Sequence, residues 1–182
     1  MGMDYRSASD DVEASVNILF PRCLIRAPRV VLQFSDGYNI EFSGTDAKGI
    51  FKSLTGDVVF NENELETSQF HFSIDVNSIN TGNGMKNKHA VSDKWFDAKN
   101  YPTIDFKSSK FSKIDNGYQV TGVMEIHGIK KEMNIPFTFD NNIFKAAFSV
   151  NRLDFNVGTM KGMMKKVSNE IKLNISIPIK EK

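Results

Sequence analysis

The chain has 182 residues, 40% of them hydrophobic and 25% charged, with 23 Lys and Arg against 22 Asp and Glu. That length suits one domain, and a formal charge of +1 offers neither a basic field for nucleic acid nor an acidic tail. The single cysteine, Cys23, excludes an internal disulfide and a thiolate metal site, and no run reaches the roughly 18 apolar residues of a membrane-spanning helix.

Residues 1–37 read differently from the rest. The opening MGMDYRSASDDVEAS is polar and aperiodic, as expected of a poorly ordered or appended lead. VNILFPRCLIRAPRVVLQF follows, apolar but broken by Arg22, Arg26, Arg29 and two prolines. A secretory signal needs an unbroken apolar stretch of roughly 7–15 residues, whereas Ile18–Phe20 stops at Pro21-Arg22, so no export signal is visible. The expectation is an N-terminal arm over 1–37, carrying one edge strand at Val30–Phe34, ahead of a domain over 38–182.

From Tyr38 onward, alternation with a period of two marks strands with one buried face. Tyr38, Ile40 and Phe42 alternate with polar neighbours, and so do Phe70, Phe72, Ile74 and Val76. Further strands are predicted at Gly49–Lys52, Leu54–Asn61 and Ile104–Phe111. Residues 84–100, GMKNKHAVSDKWFDAKN, break the rule and predict a short helical insertion near 84–97 followed by loop. Alternation resumes at Tyr118–Ile126, Met133–Phe139, Phe144–Val150 and Val167–Ile179. The intervening turns, Asn61–Glu64, Asp115–Gly117, His127-Gly128 and Asp140–Asn142, are short and rich in residues that tolerate positive φ. Eight or so antiparallel strands with one apolar face are best satisfied by closing into a barrel. The fold class is therefore all-β: an eight-stranded antiparallel barrel with one helical insertion.

Such a barrel either packs its interior with side chains or encloses one small ligand. Periodicity leaves that choice open, and says only that a ligand inside would be largely hydrocarbon. The candidates on the inward face are Phe42, Phe70, Phe72, Ile74, Ile104, Phe106, Val120, Met124, Ile135, Phe137, Phe148, Ile171, Leu173 and Ile175. Gly158–Lys166 (GTMKGMMKK) reads either as a solvated hairpin loop or as an adaptable mouth. In the second case Met160, Met163 and Met164 would meet an apolar chain, and Lys161, with Lys165 and Lys166, an anionic head group. Arg152 and Asp154, on a strand, would share a face as a structural charge pair or touch a ligand. His71, His89 and His127 are too scattered for zinc, Asp93 and Asp97 do not pair as acid and base, and no nucleophile or phosphate-binding motif occurs. No catalytic residue, metal or cofactor is expected.

Ser78-Ile79-Asn80-Thr81, Lys86, His89, Ser92, Trp95-Phe96-Asp97 and Tyr101-Pro102-Thr103-Ile104 together resemble the YceI-like family of bacterial lipid-binding proteins, whose pattern reads SI-x-T, RD-x-HL, S-x-x-FFD and YP-x-I-x-F. GYQVTGVMEIHGIKKEMNIPFTF at 117–139, Asn151–Phe155 against NR-x-DFG, Val167–Ile179 and Gly49–Asp57 extend the resemblance over residues 38–180. Lys86-Asn87 stands where the family often has Arg-Asp, Ala90 replaces a Leu, and Asn156 a Gly. The resemblance implies a lipocalin-like barrel with a hollow apolar tunnel, holding a polyisoprenoid, an isoprenoid quinone or a similar amphiphile without catalysis. It implies periplasmic or secreted proteins, although this chain shows no export signal and the cytoplasm stays open. His89, Trp95 and Phe96 join the candidates at the mouth, His89 through a structural hydrogen bond. The only partner expected is the small amphiphile, without nucleic acid or stable membrane insertion; a homodimer stays open. The alternative is a stress-related interaction module whose filled barrel works through its outer surface.

Overall fold

The computed structural model describes residues 31–159 and 161–181. Each alternating run forms a strand. The chain runs β1 (Val31–Phe34), β2 (Asn39–Gly44), β3 (Ala47–Phe51), β4 (Thr55–Val59), β5 (Gln69–Asp75) and β6 (Ile79–Asn80). Among the described residues one α-helix, α1 (Gly84–Ala90), precedes β7 (Thr103–Ile114), β8 (Gly117–Ile126), β9 (Ile129–Asp140), β10 (Ile143–Asn151) and β11 (Glu170–Glu181). Two of the turns carry two positive φ values each, His127-Gly128 (53° and 74°) and Asn141-Asn142 (50° and 60°), the geometry that lets adjacent strands keep their right-handed twist across a two-residue loop.

Among the described residues all strands join one curled antiparallel sheet of eleven, of which β6 has only two residues. The hydrogen-bonded order is β1-β4-β5-β7-β8-β9-β10-β11-β2-β3-β6, and β1 pairs with β11 as well as with β4. This corrects the expected count of eight. The additional strands come from the first third of the chain, where the neighbour pairs β2–β3 and β4–β5 join the sheet through partners distant in sequence: β11 takes β2 along its first half and β1 along its last residues. The meander expected throughout holds only for β7 to β11. β1 is also not an edge strand, since β4 and β11 flank it on both sides.

The helix is shorter than the expected 84–97. It starts at Asn83, whose Oδ1 accepts from the Met85 and Lys86 N–H groups at 2.9 and 3.1 Å. It ends at Ala90, where the Ser92 hydroxyl donates to the His89 carbonyl at 2.6 Å and turns carry the chain to Asn100. The last strand begins at Glu170 instead of Val167, because residues 167–169 are held by other partners, described below. The core is one cluster of inward side chains from nearly every strand. At one end it is filled by aromatic rings: Phe60, just beyond β4, lies 5.1–6.3 Å from the rings of Phe70, Phe111, Tyr118, Phe137, Phe139 and Phe144.

Candidate functional site

Above that plug the sheet is hollow. A cavity of about 700 Å³ runs from the rings of Phe70, Phe137 and Phe144 to the end covered by α1 and the loops after β10. That volume lies in the range typical of small-molecule sites. The span from Phe144 to Val150 on β10 lines the wall, which is about 20 Å along a strand and, at an ordinary barrel tilt, about 15 Å along the axis.

The inward faces of most strands contribute. Phe42 on β2, Phe70, Phe72 and Ile74 on β5, and Ile104 and Phe106 on β7 all face the cavity. Val120 and Met124 on β8, Ile135 and Phe137 on β9, Phe148 on β10, and Ile171, Leu173 and Ile175 on β11 do so too. Gly122 makes room on β8: a Cβ there would come within 2.6 Å of the Phe106 ring. Phe51, Leu54, Ile79 and Phe144 complete the wall. Phe144 belongs to the alternating run Phe144–Val150, whereas Phe51, Leu54 and Ile79 lie at the ends of short strands or just outside them, where alternation is weak.

Polar groups gather at one end only. His89, Trp95 and Phe96 lie there, with Lys86, Lys94, Lys166 and Asp46. Trp95 and Phe96 are half-buried, and Phe96 meets the Phe51 ring edge-on at 6.3 Å. The His89 imidazole makes no hydrogen bond among the described residues; the contacts at that position are made by its backbone carbonyl. Instead, α1 is tied down by Asn87, whose Oδ1 accepts from the Thr81 N–H and hydroxyl at 2.8 and 2.7 Å. An amide thus supplies the acceptor oxygen where the family often has a carboxylate. Lys161 is exposed and takes no part in the cavity wall. Met160 lies outside the described residues, and of Met163 and Met164 only the backbone, in a 3-10 turn over Gly162–Lys166, is described.

The residue that sequence reasoning placed least well is Arg152. It was expected on a strand, sharing a face with Asp154. Both lie in a 3-10 turn, Arg152–Phe155, which opens with the Asn151 side chain accepting from the Leu153 N–H. The turn sends the two side chains apart. Asp154 faces outward and pairs with Lys131 on β9 at 3.1 Å. Arg152 is 5% exposed and part of the cavity wall. Its Nε donates to the Ser168 carbonyl at 2.9 Å and Nη1 to that of Val157 at 2.8 Å. Nη2 reaches the Val167 carbonyl at 3.2 Å and Asn169 Oδ1 at 3.3 Å. The guanidinium also lies 5.3 Å from the Trp95 ring centroid. Burial holds its pKa below the ordinary arginine value, because leaving water disfavours the charged form. One fork of donors therefore fixes the loop from Val157 to Asn169 and the Trp95 indole around the cavity mouth. Gly158 sits against both groups: its φ is +70°, and a Cβ there would come 2.7 Å from the indole ring and 2.9 Å from Arg152 Nη1.

Among the described residues no group of His, Cys, Asp and Glu is placed to hold a metal ion, and no helix is long and apolar enough to cross a membrane. The model of the YceI-like domain matches residues 31–179. The chain belongs to the YceI-like family. Over 93 residues it is 32% identical to a UPF0312 protein of Vibrio parahaemolyticus, a stretch that is 50% of this chain and 49% of that relative, so the chain spans about half the length of the Vibrio relatives it matches. Among solved structures, Burkholderia cenocepacia BcnA is similar at 28% identity and a TM-score of 0.73, over 79% of this chain and 96% of that one. A Campylobacter jejuni YceI protein is similar at 27% and 0.62, over 74% and 84%. A Saccharophagus degradans domain described as polyisoprenoid-binding shares the fold at 12% identity and a TM-score of 0.59, over 85% of this chain and 99% of that one.

Proposed function

We propose that this chain is a non-catalytic carrier that holds the tail of one long amphiphile, an isoprenoid lipid or isoprenoid quinone, inside the curled sheet with the head at the α1 end. The observation that carries the reading is the distribution of polarity in the cavity: hydrocarbon along its length, aromatic at its floor, and polar at one rim. A ligand complementary to that surface has one apolar tail and one polar end. Each buried methylene contributes about 0.8 kcal/mol, so on the order of fifteen to twenty of them offset the several kcal/mol lost in immobilising a ligand and leave the roughly 8 kcal/mol of micromolar binding. His89 and Ser92 both line the wall, but the Ser92 hydroxyl donates to the His89 carbonyl and not to its imidazole. The alternative, a filled barrel acting through its outer face, has no corresponding feature, since the interior holds open space. The family resemblance adds the expectation of a periplasmic or secreted setting.

The deciding experiment is native mass spectrometry of the purified protein, followed by organic extraction and titration with a polyprenol and a ubiquinone. An adduct of lipid mass, or saturable binding of either compound, is expected. A protein that carries nothing and binds neither would overturn the reading.

A further inference from the structure

The sheet wall is not continuous. β9 and β10 pair only from Asp140↔Ile143 to Phe137↔Ala146, although β9 begins at Ile129 and β10 runs to Asn151. On their other sides both strands are fully engaged, β9 with β8 from Ile129 to Phe137 and β10 with β11 along its whole length. Residues 129–136 and 147–151 thus face each other across a seam without a ladder. The reason can be read from the register. In an antiparallel pair alternate positions exchange hydrogen bonds, and counting from the two-residue turn these are Asp140/Ile143, Thr138/Lys145 and then Pro136/Ala147. Proline has no N–H to give, and the ladder stops there.

Side chains alone separate cavity from solvent along the seam. Ile135, Phe148, Val150 and Phe155 face the cavity, while Lys130, Glu132, Asn134, Pro136, Ala147 and Ser149 are exposed. At the mouth end Phe155, 2% exposed, closes the gap. Over it lies Lys131, its Nζ 6.0 Å from the Phe155 ring centroid and 3.1 Å from Asp154 Oδ2. This ion pair is 42% and 49% exposed, which makes it a weak tie. Parting the ladders on either side of the seam, β8–β9 or β10–β11, breaks a row of backbone hydrogen bonds. Parting the wall here requires releasing Lys131 from Asp154 and swinging the Phe155 side chain aside, with no ladder between the two strands to break and with the Arg152 anchor left in place.

We propose that the β9–β10 seam is a lateral gate, through which the apolar tail of a long amphiphile passes sideways into the cavity, with Phe155 as its plug and Lys131–Asp154 as its latch. The gate rests on the carrier reading above. A latch that holds both empty and loaded protein closed sets rates and not affinity. Stopped-flow exchange of an anthroyloxy-labelled palmitate is the test. Lys131→Asp or Asp154→Lys is expected to raise association and dissociation rates together by about fivefold, the upper range for an exposed ion pair, with Kd unchanged within about twofold. The double exchange restores wild-type rates. Pro136→Val, which returns the missing donor, slows both. Normal binding with rates indifferent to all three variants overturns the gate alone, and so does a change confined to dissociation, which would make the latch residues ordinary ligand contacts. Absence of palmitate, polyprenol and ubiquinone binding in the wild type overturns the carrier reading and the gate with it.

Discussion

The two ends of the curled sheet use the same alternating side chains to opposite effect. Near Phe60 the inward rings meet and fill the interior, while under α1 equally apolar positions leave a cavity of about 700 Å³. Hydrophobicity does not differ between them; what differs is whether anything enters from outside the alternation. Phe60 follows the last residue of β4 and inserts into the barrel end. At the other end α1, Trp95 and the Arg152 turn lie across the rim, held there by hydrogen bonds to backbone. A plug needs a side chain that leaves its strand, and a mouth needs elements tied down so that they do not fall in.

The largest effect should come from breaking the plug. Phe60→Ala removes a ring in contact with six others and leaves a new void, which costs about 3–5 kcal/mol for a close-packed Phe. Phe148→Ala, on the cavity wall, enlarges a space that already exists and forfeits contacts on only one side. Its cost should be about half as large or less, with the greater loss in ligand affinity. Denaturant titration of both variants measures the difference, and equal costs would show that the wall is as tightly packed as the plug.

Next in size is the mouth. Arg152→Met keeps much of the volume but strips donors from the carbonyls of Val157, Val167 and Ser168. Leaving buried acceptors without partners costs about 1–3 kcal/mol. Arg152→Lys should recover less than half of that, since a single ammonium cannot reproduce the fork. Thermal unfolding measures the stability, and ligand titration should show weakened binding in both variants as Trp95 loses its support. Full rescue by lysine would mean that charge, and not geometry, holds the loop.

How much of this was legible follows from which interactions are local. Alternation and turn residues are properties of neighbours in sequence, so runs such as Phe70–Val76 and Phe144–Val150 announce their strands and inward faces. The place of β2 and of β1 beside β11 depends on pairings 129 to 149 residues apart in number, which no local pattern encodes. Arg152 was misplaced because Asn151–Phe155 directly follows the alternating run Phe144–Val150, although its apolar residues shift phase to Leu153 and Phe155, where the Asn151 cap, accepting from Leu153, turns the chain. Pro136 was visible as an outward residue, yet its consequence appears only once β10 lies opposite. The hollow itself was the hardest to read, since the same Phe-rich faces serve a filled and an empty barrel.

The smallest predicted effect tests whether the plug end has a weakness that the cavity wall lacks. Tyr118 stacks on Phe137 at 5.5 Å and meets the Phe60 ring edge-on, while its hydroxyl donates to Glu62 Oε1 at 3.0 Å. Its pKa lies above the ordinary 10.0, first through burial and then through the hydrogen bond and negative charge of Glu62. The sign follows from proton uptake: above pH 10 the unfolded chain releases this proton while the folded protein keeps it. The contribution of Tyr118 to stability is therefore full below pH 10 and is lost as pH rises through the folded-state value. Tyr118→Phe has no such proton, so its stability should fall less steeply than wild type above pH 10, with the two curves nearly parallel between pH 6 and 9. Glu62→Gln should fall between them, because it removes the charge and leaves the burial. Paired denaturant titrations across that range read the difference. Parallel curves above pH 10 as well would mean that the phenol is as free to ionise beside the plug as in water, and that Glu62 does not seal it.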